Sequence, residues 1–325
     1  MFATRAPAHL ARPAGDRLAY SAWRMSSGFL SAVPPSGSRW LGSILGRMAF
    51  SVLRVRRATV ESQLAASFPG RSDRWISRTA RACYRHFGEE IVALATACRL
   101  SPEALLSRTR DAEQAIALLR RHRLARRGAV IVTGHLGNWE LAGAFVAALG
   151  LPVTAVVRRH ASRFDRHFVS LRRSLGVESV GMEHAAVLPR RLAQGGIVAL
   201  VADQHAASRG VPVSFLGRPA STFLGPARLA LTCGVPLYFG ALIRQGAGYR
   251  ALVARVEPPA SATDAELELT RRWVGRLEEA VREHPEQYFW FHRRWKWASG
   301  ERPFPAVGTR DGPARAAASG RDRGM

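Results

Sequence analysis

The chain has 325 residues, enough for one large domain or two small ones, and an apolar fraction of 47% that suffices for a sizeable core. Three cysteines, odd in number and far apart, argue against a disulfide framework and against a zinc site. The formal net charge of +24, almost all from arginine, favours anionic partners: a phospholipid surface, nucleic acid or an acidic carrier protein.

The first part of the chain is predicted to be helical. Residues 1–38 lack clear periodicity, and their patchy apolar stretch has no convincing cleavage site, which argues against a signal peptide. From Trp40 to Leu53, apolar residues recur on one helical face, opposite small residues and Arg47, and three arginines follow. This stretch of about 14 residues is too short to span a bilayer. It fits either an interfacial anchor or a helix packed on the rest of the protein.

A short strand and a turn flanked by glycines stand near the middle of the chain. Residues 129–132 are four consecutive aliphatic residues, typical of a strand covered on both faces. The turn carries His135, and a helix begins after Asn138, a good N-cap, with Glu140 in its first turn. His135 is therefore predicted to lie at the carboxyl end of a strand, where ligands bind in open α/β sheets.

A histidine followed five residues later by an acid occurs as His135…Glu140 and again as His160…Asp165. The second pair lies among arginines with no glycine nearby, and we interpret it as solvated basic surface. In the first pair, the imidazole can take a proton from a hydroxyl, while a carboxylate on the other ring nitrogen fixes the tautomer. Because no serine or cysteine stands in a nucleophile-elbow context, direct transfer to a hydroxyl is favoured over a covalent intermediate. The structural alternative is a turn histidine satisfied by local hydrogen bonds.

Strands and helices alternate after this turn. The prediction is an α/β fold: a mainly parallel central sheet with helices on both faces, preceded by an N-terminal amphipathic helical region. Three parts are predicted along the chain: 1–110 is a helical, membrane-associating region, 111–304 an α/β domain, and 305–325 a disordered tail. The predicted strands after the turn are 153–157, 178–180, 197–202, 237–243 and 249–256. The predicted helices after the turn are 164–175, 184–194, 226–233 and 264–283.

Asp203 ends the apolar strand 197–202, at the sheet edge on which His135 is placed. A carboxylate there is costly to leave unpaired, so it requires a cation or backbone donors. A structural salt bridge would satisfy it without any part in chemistry.

Four ordered stretches resemble one enzyme family. Residues 134–141 (GHLGNWEL) look like the His-x4-Asp/Glu block of the lysophospholipid acyltransferase superfamily. More closely, they are similar to its branch of lipid A lauroyl/myristoyl and mycobacterial phosphatidylinositol mannoside acyltransferases. The resemblance covers roughly residues 40–300. Its other blocks are Val201-Ala202-Asp203-Gln204, residues 215–220 (FLGRPA) and residues 285–296 (PEQYFWFHRRWK).

The resemblance implies roles for individual residues. His135 would be the general base, oriented by Glu140. Asp203 and an upstream arginine would hold the shape of the site and stabilise the oxyanion; Arg172 is the position carried over, with Arg173 as its alternative. Further residues would bind substrate: Arg218, in a loop, would hold the acceptor phosphate, and the others are Arg158, Gly137 and Asn138. For Arg218, an exposed loop arginine without a role is the alternative.

The aromatic run from Tyr288 to Trp297 is interleaved with basic residues. Alone, it would suit nucleobase stacking or a membrane interface. The resemblance makes it a structural strand and turn near the acceptor end of the site. His292 within it would be a second base or, as we interpret it, a packed or surface histidine.

The function implied is an O-acyltransferase that moves a fatty acyl group from acyl carrier protein or acyl-CoA to a hydroxyl of an anionic membrane glycolipid of the lipid A precursor type. No cofactor and no metal are implied. The branch usually carries an N-terminal membrane-spanning helix, which this sequence lacks; peripheral or monotopic attachment at the cytoplasmic face of a bacterial inner membrane is therefore expected. The alternatives are another acceptor (a lysophospholipid, an ornithine lipid or a phosphatidylinositol mannoside) and, more remotely, a non-catalytic basic module that binds nucleic acid or membrane.

Overall fold

The computed structural model describes residues 35–125, 127–158, 162–259 and 263–296. Within these ranges, one large sheet lies between two layers of helices. The predicted α/β class, with a mainly parallel central sheet and helices on both faces, is confirmed. The predicted tail at 305–325 lies outside the described residues.

The large sheet has seven strands in the order β1-β9-β8-β2-β5-β3-β4. All neighbours run parallel except β8 and β9, which form an antiparallel hairpin. The strand β2 is buried along its whole length between β5 and β8, as its run of aliphatic residues predicts. The bounds are β1 (Thr109–Arg110), β2 (Ala129–Thr133), β3 (Val153–Val157), β4 (Val177–Gly181), β5 (Ile197–Val201), β8 (Leu237–Gln245) and β9 (Gly248–Val256).

A separate two-stranded hairpin was not predicted. It pairs β6 (Val211–Phe215) with β7 (Arg218–Thr222), so Arg218 begins a strand and does not lie in a loop. Its turn, Leu216-Gly217, has φ values of 53° and 72°. Two positive values match the twist of a tight hairpin, but leucine is an unusual residue at the first position. The sequence therefore carried no hairpin signal here.

The described chain contains ten α-helices, and the helices predicted after the turn are present within a few residues. One difference is the stretch from residue 184 to 194, where a 3-10 segment, Met182–Val187, precedes a shorter helix. The bounds are α1 (Pro35–Ser51), α2 (Arg57–Ser67), α3 (Asp73–Thr96), α4 (Pro102–Ser107), α5 (Glu113–Ala125), α6 (Trp139–Ala148), α7 (Arg163–Ser174), α8 (Leu188–Ala193), α9 (Gly225–Thr232) and α10 (Ala265–Glu283).

The two faces of the sheet have separate cores. One face packs against α4, α5, α6 and α7, and the other packs against α8, α9, α10 and the N-terminal helices α1, α2 and α3. The helices before residue 110 thus share a core with the sheet, and the sheet itself begins at Thr109. The domain boundary at residue 110 stays a prediction.

Helix α1 packs on α3 through its small residues. A Cβ added to Gly42 would lie 2.6 Å from the Glu89 Cα, and Gly46 and Gly88 are crowded by backbone in the same way. Ser43 Oγ donates to Glu89 Oε1 at 2.7 Å. The helix is therefore held to the protein by these small residues and, near its end, by Phe50, which is 2% exposed.

The apolar face of α1 consequently points outward. Trp40 is 67% exposed and Leu53, just beyond the helix, is 66% exposed. The packed side agrees with one of the two alternatives for this helix, and an interfacial anchor stays a prediction for the exposed apolar side. No helix in the described part of the chain combines the length and the apolar character needed to cross a membrane. Others exposed on this face are Leu45, Met48 and Val52.

Candidate active site

The turn after β2 is fixed by backbone contacts that require glycine. Gly137 has φ of 61°, and an added Cβ would collide with the Leu242 carbonyl. Its N–H donates to the Gln287 carbonyl at 3.0 Å, and the Asn138 N–H donates to the Leu242 carbonyl at 2.9 Å. The turn that carries His135 is thus clamped between β8 and the 3-10 turn Pro285–Gln287.

Asn138 links this turn to the N-terminal helices. Its Oδ1 caps α6 by accepting from the Leu141 N–H at 2.8 Å, as the sequence predicts, and its Nδ2 donates to Glu90 of α3 at 2.5 Å. Glu90 is 4% exposed and also accepts from Arg244 Nε and from the Tyr249 hydroxyl. Asn138 and Gly137 are buried, and the Asn138 amide is occupied by protein contacts. Both therefore shape the turn, whereas the sequence had predicted that they bind substrate.

The partner of the His135 ring is Asp203. His135 Nδ1 lies 2.6 Å from Asp203 Oδ1, and the His135 backbone N–H donates to Asp203 Oδ2 at 2.8 Å. Glu140 was predicted for this position. The strands β2 and β5 are neighbours, so their carboxyl ends place His135 and Asp203 side by side although 68 residues separate them in sequence. A carboxylate on Nδ1 keeps the proton there and leaves the lone pair on Nε2.

The Asp203 carboxylate is 3% exposed and ionised. Burial alone would raise its pKa, but the positive charge that His135 carries when protonated and the two hydrogen bonds from that residue outweigh burial, so the pKa falls below the usual 3.8. Arg294 adds positive charge nearby. This arginine is buried, and its guanidinium donates to Thr222 Oγ1 at 2.6 Å and to the carbonyls of Gln204 and Ser221. Nothing in its basic stretch of sequence distinguishes Arg294 as a buried cation.

Glu140 pairs with Arg172. Arg172 Nε and Nη2 donate to the two Glu140 oxygens at 2.7 and 2.5 Å, in the two-pronged geometry that suits guanidinium and carboxylate. The pair joins the first turn of α6 to α7. The choice left open between Arg172 and Arg173 thus falls to Arg172 for this contact, and Arg173 is exposed.

Aromatic rings surround the imidazole. The Trp139 ring lies 4.8 Å from the His135 ring, and the Phe289 ring lies 5.9 Å away. The Phe289 N–H donates to the His135 carbonyl at 2.9 Å. Residues 288–291 form no regular strand, contrary to expectation: Leu136 and Tyr288 make only an isolated bridge, because the chain crosses the His135 turn briefly.

His292 also faces the site. Its Nε2 accepts from the His205 N–H at 3.2 Å. Burial lowers its pKa to about 4, so it is neutral at physiological pH. His292 lines the cavity described in the next paragraph. The sequence had predicted only a packed or surface histidine here.

A cavity of about 850 Å³ lies between α6 and the sheet, and His135 lines it. Its polar lining is at the carboxyl edge of the strands, where His135, Glu140, Arg172 and Gln204 are found. Along β5 the lining extends from Val201 to Ile197, four residue steps or about 13 Å. Deeper residues are apolar: Ala142, Phe145 and Val146 of α6, with Ile131, Val153, Ala155, Ala199 and Leu242 of the sheet.

The two predicted substrate arginines differ in place. Arg158 lines the cavity. Arg218 lies with its guanidinium 4.5 Å above the Trp295 ring, and its buried Nη1 has no hydrogen-bond partner in the described structure. Burial lowers its pKa.

Among the described residues, no group of three histidine, cysteine or acidic side chains converges as a metal site would require.

Comparison with known proteins identifies the family of this chain. The pattern of the bacterial lipid A biosynthesis acyltransferase family matches residues 19–297. A phosphatidylinositol mannoside acyltransferase of Mycobacterium tuberculosis is 28% identical over 52% of this chain and 54% of its own length; that of Mycolicibacterium smegmatis is 28% identical over 53% and 58%. These matches span only about half the length of the mycobacterial relatives. A lipid A biosynthesis palmitoleoyltransferase of Escherichia coli is 23% identical over 79% of this chain and 84% of its own length. Since the family pattern covers most of the sequence, the chain belongs to the bacterial lipid A biosynthesis acyltransferase family.

Proposed function

We propose that the protein is an O-acyltransferase that moves a fatty acyl group from a thioester to a hydroxyl of an anionic membrane glycolipid of the lipid A precursor type. The observation that carries the proposal is the position of the His135–Asp203 pair at the polar end of a deep apolar cavity. An acyl chain fits the apolar part, and its carbonyl carbon would then lie beside the base.

The chemistry is a direct transfer. His135 Nε2 takes the proton of the acceptor hydroxyl as its oxygen attacks the thioester carbonyl carbon. Asp203, held on Nδ1 and on the backbone N–H, stabilises the imidazolium that forms. The carbon–sulfur bond then breaks, and the imidazolium gives its proton to the departing thiolate. Atoms and charge balance without a cofactor.

The oxyanion needs positive charge or N–H donors. Asp203 is an ionised carboxylate and cannot supply either. Of the two roles predicted for it, holding the shape of the site is kept and stabilising the oxyanion is not. Arg172 lines the cavity and is held by Glu140, so it offers a fixed cation beside the reacting carbonyl. Arg158 lines the same cavity and suits acceptor phosphate. Arg218 keeps this phosphate role as a proposal, supported by its unpaired Nη1.

The donor would be acyl carrier protein or acyl-CoA. Both are anionic and suit a chain of charge +24.

The exposed apolar face of α1 would contact the membrane, next to the exposed Arg47 and Arg54. Apolar side chains beside arginines are typical of helices that lie in an anionic lipid interface. The proposed location is the cytoplasmic face of the bacterial inner membrane, with peripheral or monotopic attachment.

Vesicle sedimentation tests this face. We expect Leu53→Ser to weaken binding to vesicles of phosphatidylglycerol and phosphatidylethanolamine roughly tenfold, because burial of one leucine is lost. Leu124→Ser is the matched control, since Leu124 is 85% exposed on α5, away from α1. Equal binding by the two variants would contradict the proposed face.

A second acceptor class has support of its own. The mycobacterial relatives are named phosphatidylinositol mannoside acyltransferases and are 28% identical, against 23% for the E. coli lipid A enzyme. A phosphoinositol glycolipid would use the same base, cavity and phosphate-binding cations. The residues of the site accommodate either acceptor.

Lipid mass spectrometry would test the proposal. A bacterial host expressing the native protein should contain one lipid species that gains an acyl mass, and the same host expressing His135→Ala should lack it. The identity of that species separates the two acceptor classes. If the variant produces the acylated species as well, His135 is not the base.

A further inference from the structure

The reactive nitrogen of His135 is already occupied. Because Nδ1 donates to Asp203, Nε2 carries the lone pair that would take the acceptor proton. The Gln204 side-chain nitrogen lies 3.2 Å from this Nε2. An unprotonated ring nitrogen can only accept, so the amide must donate an N–H to it. The Gln204 amide therefore stands where the hydroxyl of an acceptor, or a water molecule, would stand.

The backbone around Gln204 is anchored. The Ala202 N–H donates to the Thr133 carbonyl at 3.0 Å, and the Gln204 carbonyl accepts from Arg294 at 3.2 Å. The His205 N–H donates to His292 at 3.2 Å. Only the Gln204 side chain, which is exposed and lines the cavity, is free to change rotamer. It can leave Nε2 without any movement of Asp203 or of the turn that carries His135.

We propose that Gln204 is a gate on the general base, which keeps water from His135 Nε2 until the acceptor hydroxyl displaces its amide. This inference rests on the proposed acyl transfer. Gln204 is not the base; it decides which hydroxyl reaches the base. The step that it suppresses is hydrolysis, in which water attacks the thioester carbonyl and the carbon–sulfur bond breaks. The fatty acid and the free thiol are then released, with the proton passing from water through Nε2 to the thiolate.

The gate has a physical basis in concentration. Water is abundant, whereas the acceptor is one lipid at the bilayer. If Nε2 were always accessible, the bound thioester would be hydrolysed during the time before an acceptor lipid binds. A hydrogen bond that water must break lowers the fraction of time for which Nε2 is available. An acceptor lipid that is held by its own binding contacts can displace the amide at a smaller free-energy cost, because those contacts already place its hydroxyl next to Nε2.

Two variants test the gate. Gln204→Ala removes the side chain, and Gln204→Met keeps a similar length without the N–H. Purified full-length native and variant proteins would be mixed with palmitoyl-CoA, and separately with palmitoyl-acyl carrier protein, in the absence of acceptor. Thiol release would be followed with a chromogenic disulfide. A second set would contain lipid A precursor in mixed micelles, with free palmitate and acylated lipid quantified together.

We expect both variants to raise acceptor-free hydrolysis by up to roughly tenfold, the factor that one net hydrogen bond is worth. Acyl transfer should change less, so the ratio of free palmitate to acylated lipid rises. Because Gln204 is exposed, the melting temperatures should match that of the native protein. A purely structural role of Gln204 would not change this ratio.

The failures can be told apart. If the native protein transfers acyl groups and neither variant hydrolyses more donor, the gate is overturned and the proposed function stands. If only Gln204→Ala hydrolyses faster, side-chain bulk excludes water and the hydrogen-bond gate is overturned. If no protein consumes either thioester, acyl transfer from these donors fails, and the gate fails with it.

Discussion

Two carboxylates, Asp203 and Glu140, were predicted for the site around His135, and the structure gives them different partners. Asp203 accepts from the ring and the backbone of His135, a partner whose charge changes during proton transfer. Glu140 accepts from Arg172, a cation that stays charged. The acid closer to the histidine in sequence therefore pairs with an arginine of α7, and the distant acid contacts the histidine itself. The partner of each acid is determined by the helix or strand that carries its side chain, and not by its distance from His135 in sequence.

The largest effect should follow from Asp203→Asn. An amide cannot stabilise the imidazolium, and it can hold the wrong tautomer of His135, so kcat should fall about 10²–10⁴-fold. Measurement of initial transfer rates at saturating donor would check this. A loss smaller than that of Glu140→Gln would reverse the comparison.

Glu140→Gln should reduce kcat roughly tenfold, since the fixed geometry of Arg172 loosens while the base keeps its partner. A double-mutant cycle with Arg172→Met would sharpen the distinction. We expect a coupling free energy of unfolding of about 0.5–3 kcal/mol between these two positions. If the losses of unfolding free energy in the two single variants simply add in the double variant, the ion pair with Arg172 is not the means by which Glu140 acts.

Glu90→Gln extends the comparison to a third carboxylate, which is buried and accepts from Asn138 in the turn that carries His135. Arg244 loses its counter-ion, which should cost about 3 kcal/mol of unfolding free energy. The Asn138 cap also loosens, so kcat should fall roughly threefold to tenfold. Glu89→Gln is the matched control on the adjacent position of α3, because Glu89 contacts Ser43 and Arg39 of α1 and not the turn. Equal loss of kcat in the two variants would contradict a link between Glu90 and the turn.

The smallest effect is on acid stability. The pKa of Asp203 is lower folded than its usual 3.8, so its stabilising contribution is complete above that pH and is lost as pH falls through the folded value. The difference in unfolding free energy between the native protein and Asp203→Asn should therefore shrink below about pH 3.8. Urea titrations at several pH values would measure it; a difference that grows on acidification would give the pKa shift the opposite sign.

The fold and the place of the base were predictable because periodicity and strand ends are local signals. His135 and Asp203 were assigned to the same sheet edge for that reason. Their direct contact was not predicted, because the direction of a ring in a turn depends on Gly137 and on packing against Phe289. Glu90 and Arg294 were missed because their side-chain hydrogen-bond partners lie 48 or more residues away. The β6–β7 hairpin was missed because its turn is Leu-Gly.

The buried carboxylate of Glu90 bears on whether the catalytic part could exist alone. A shortened chain that begins at residue 111 would keep His135, Asp203 and the residues that line the cavity. It would lack the acid that accepts from Asn138, Arg244 and Tyr249. Arg244, whose side chain is 10% exposed in the full chain, would lose the carboxylate that pairs with it. Helix α3 thus supplies one buried carboxylate that the turn carrying His135 and the β8–β9 hairpin share, so we expect the part from residue 111 onward to fold and act poorly by itself.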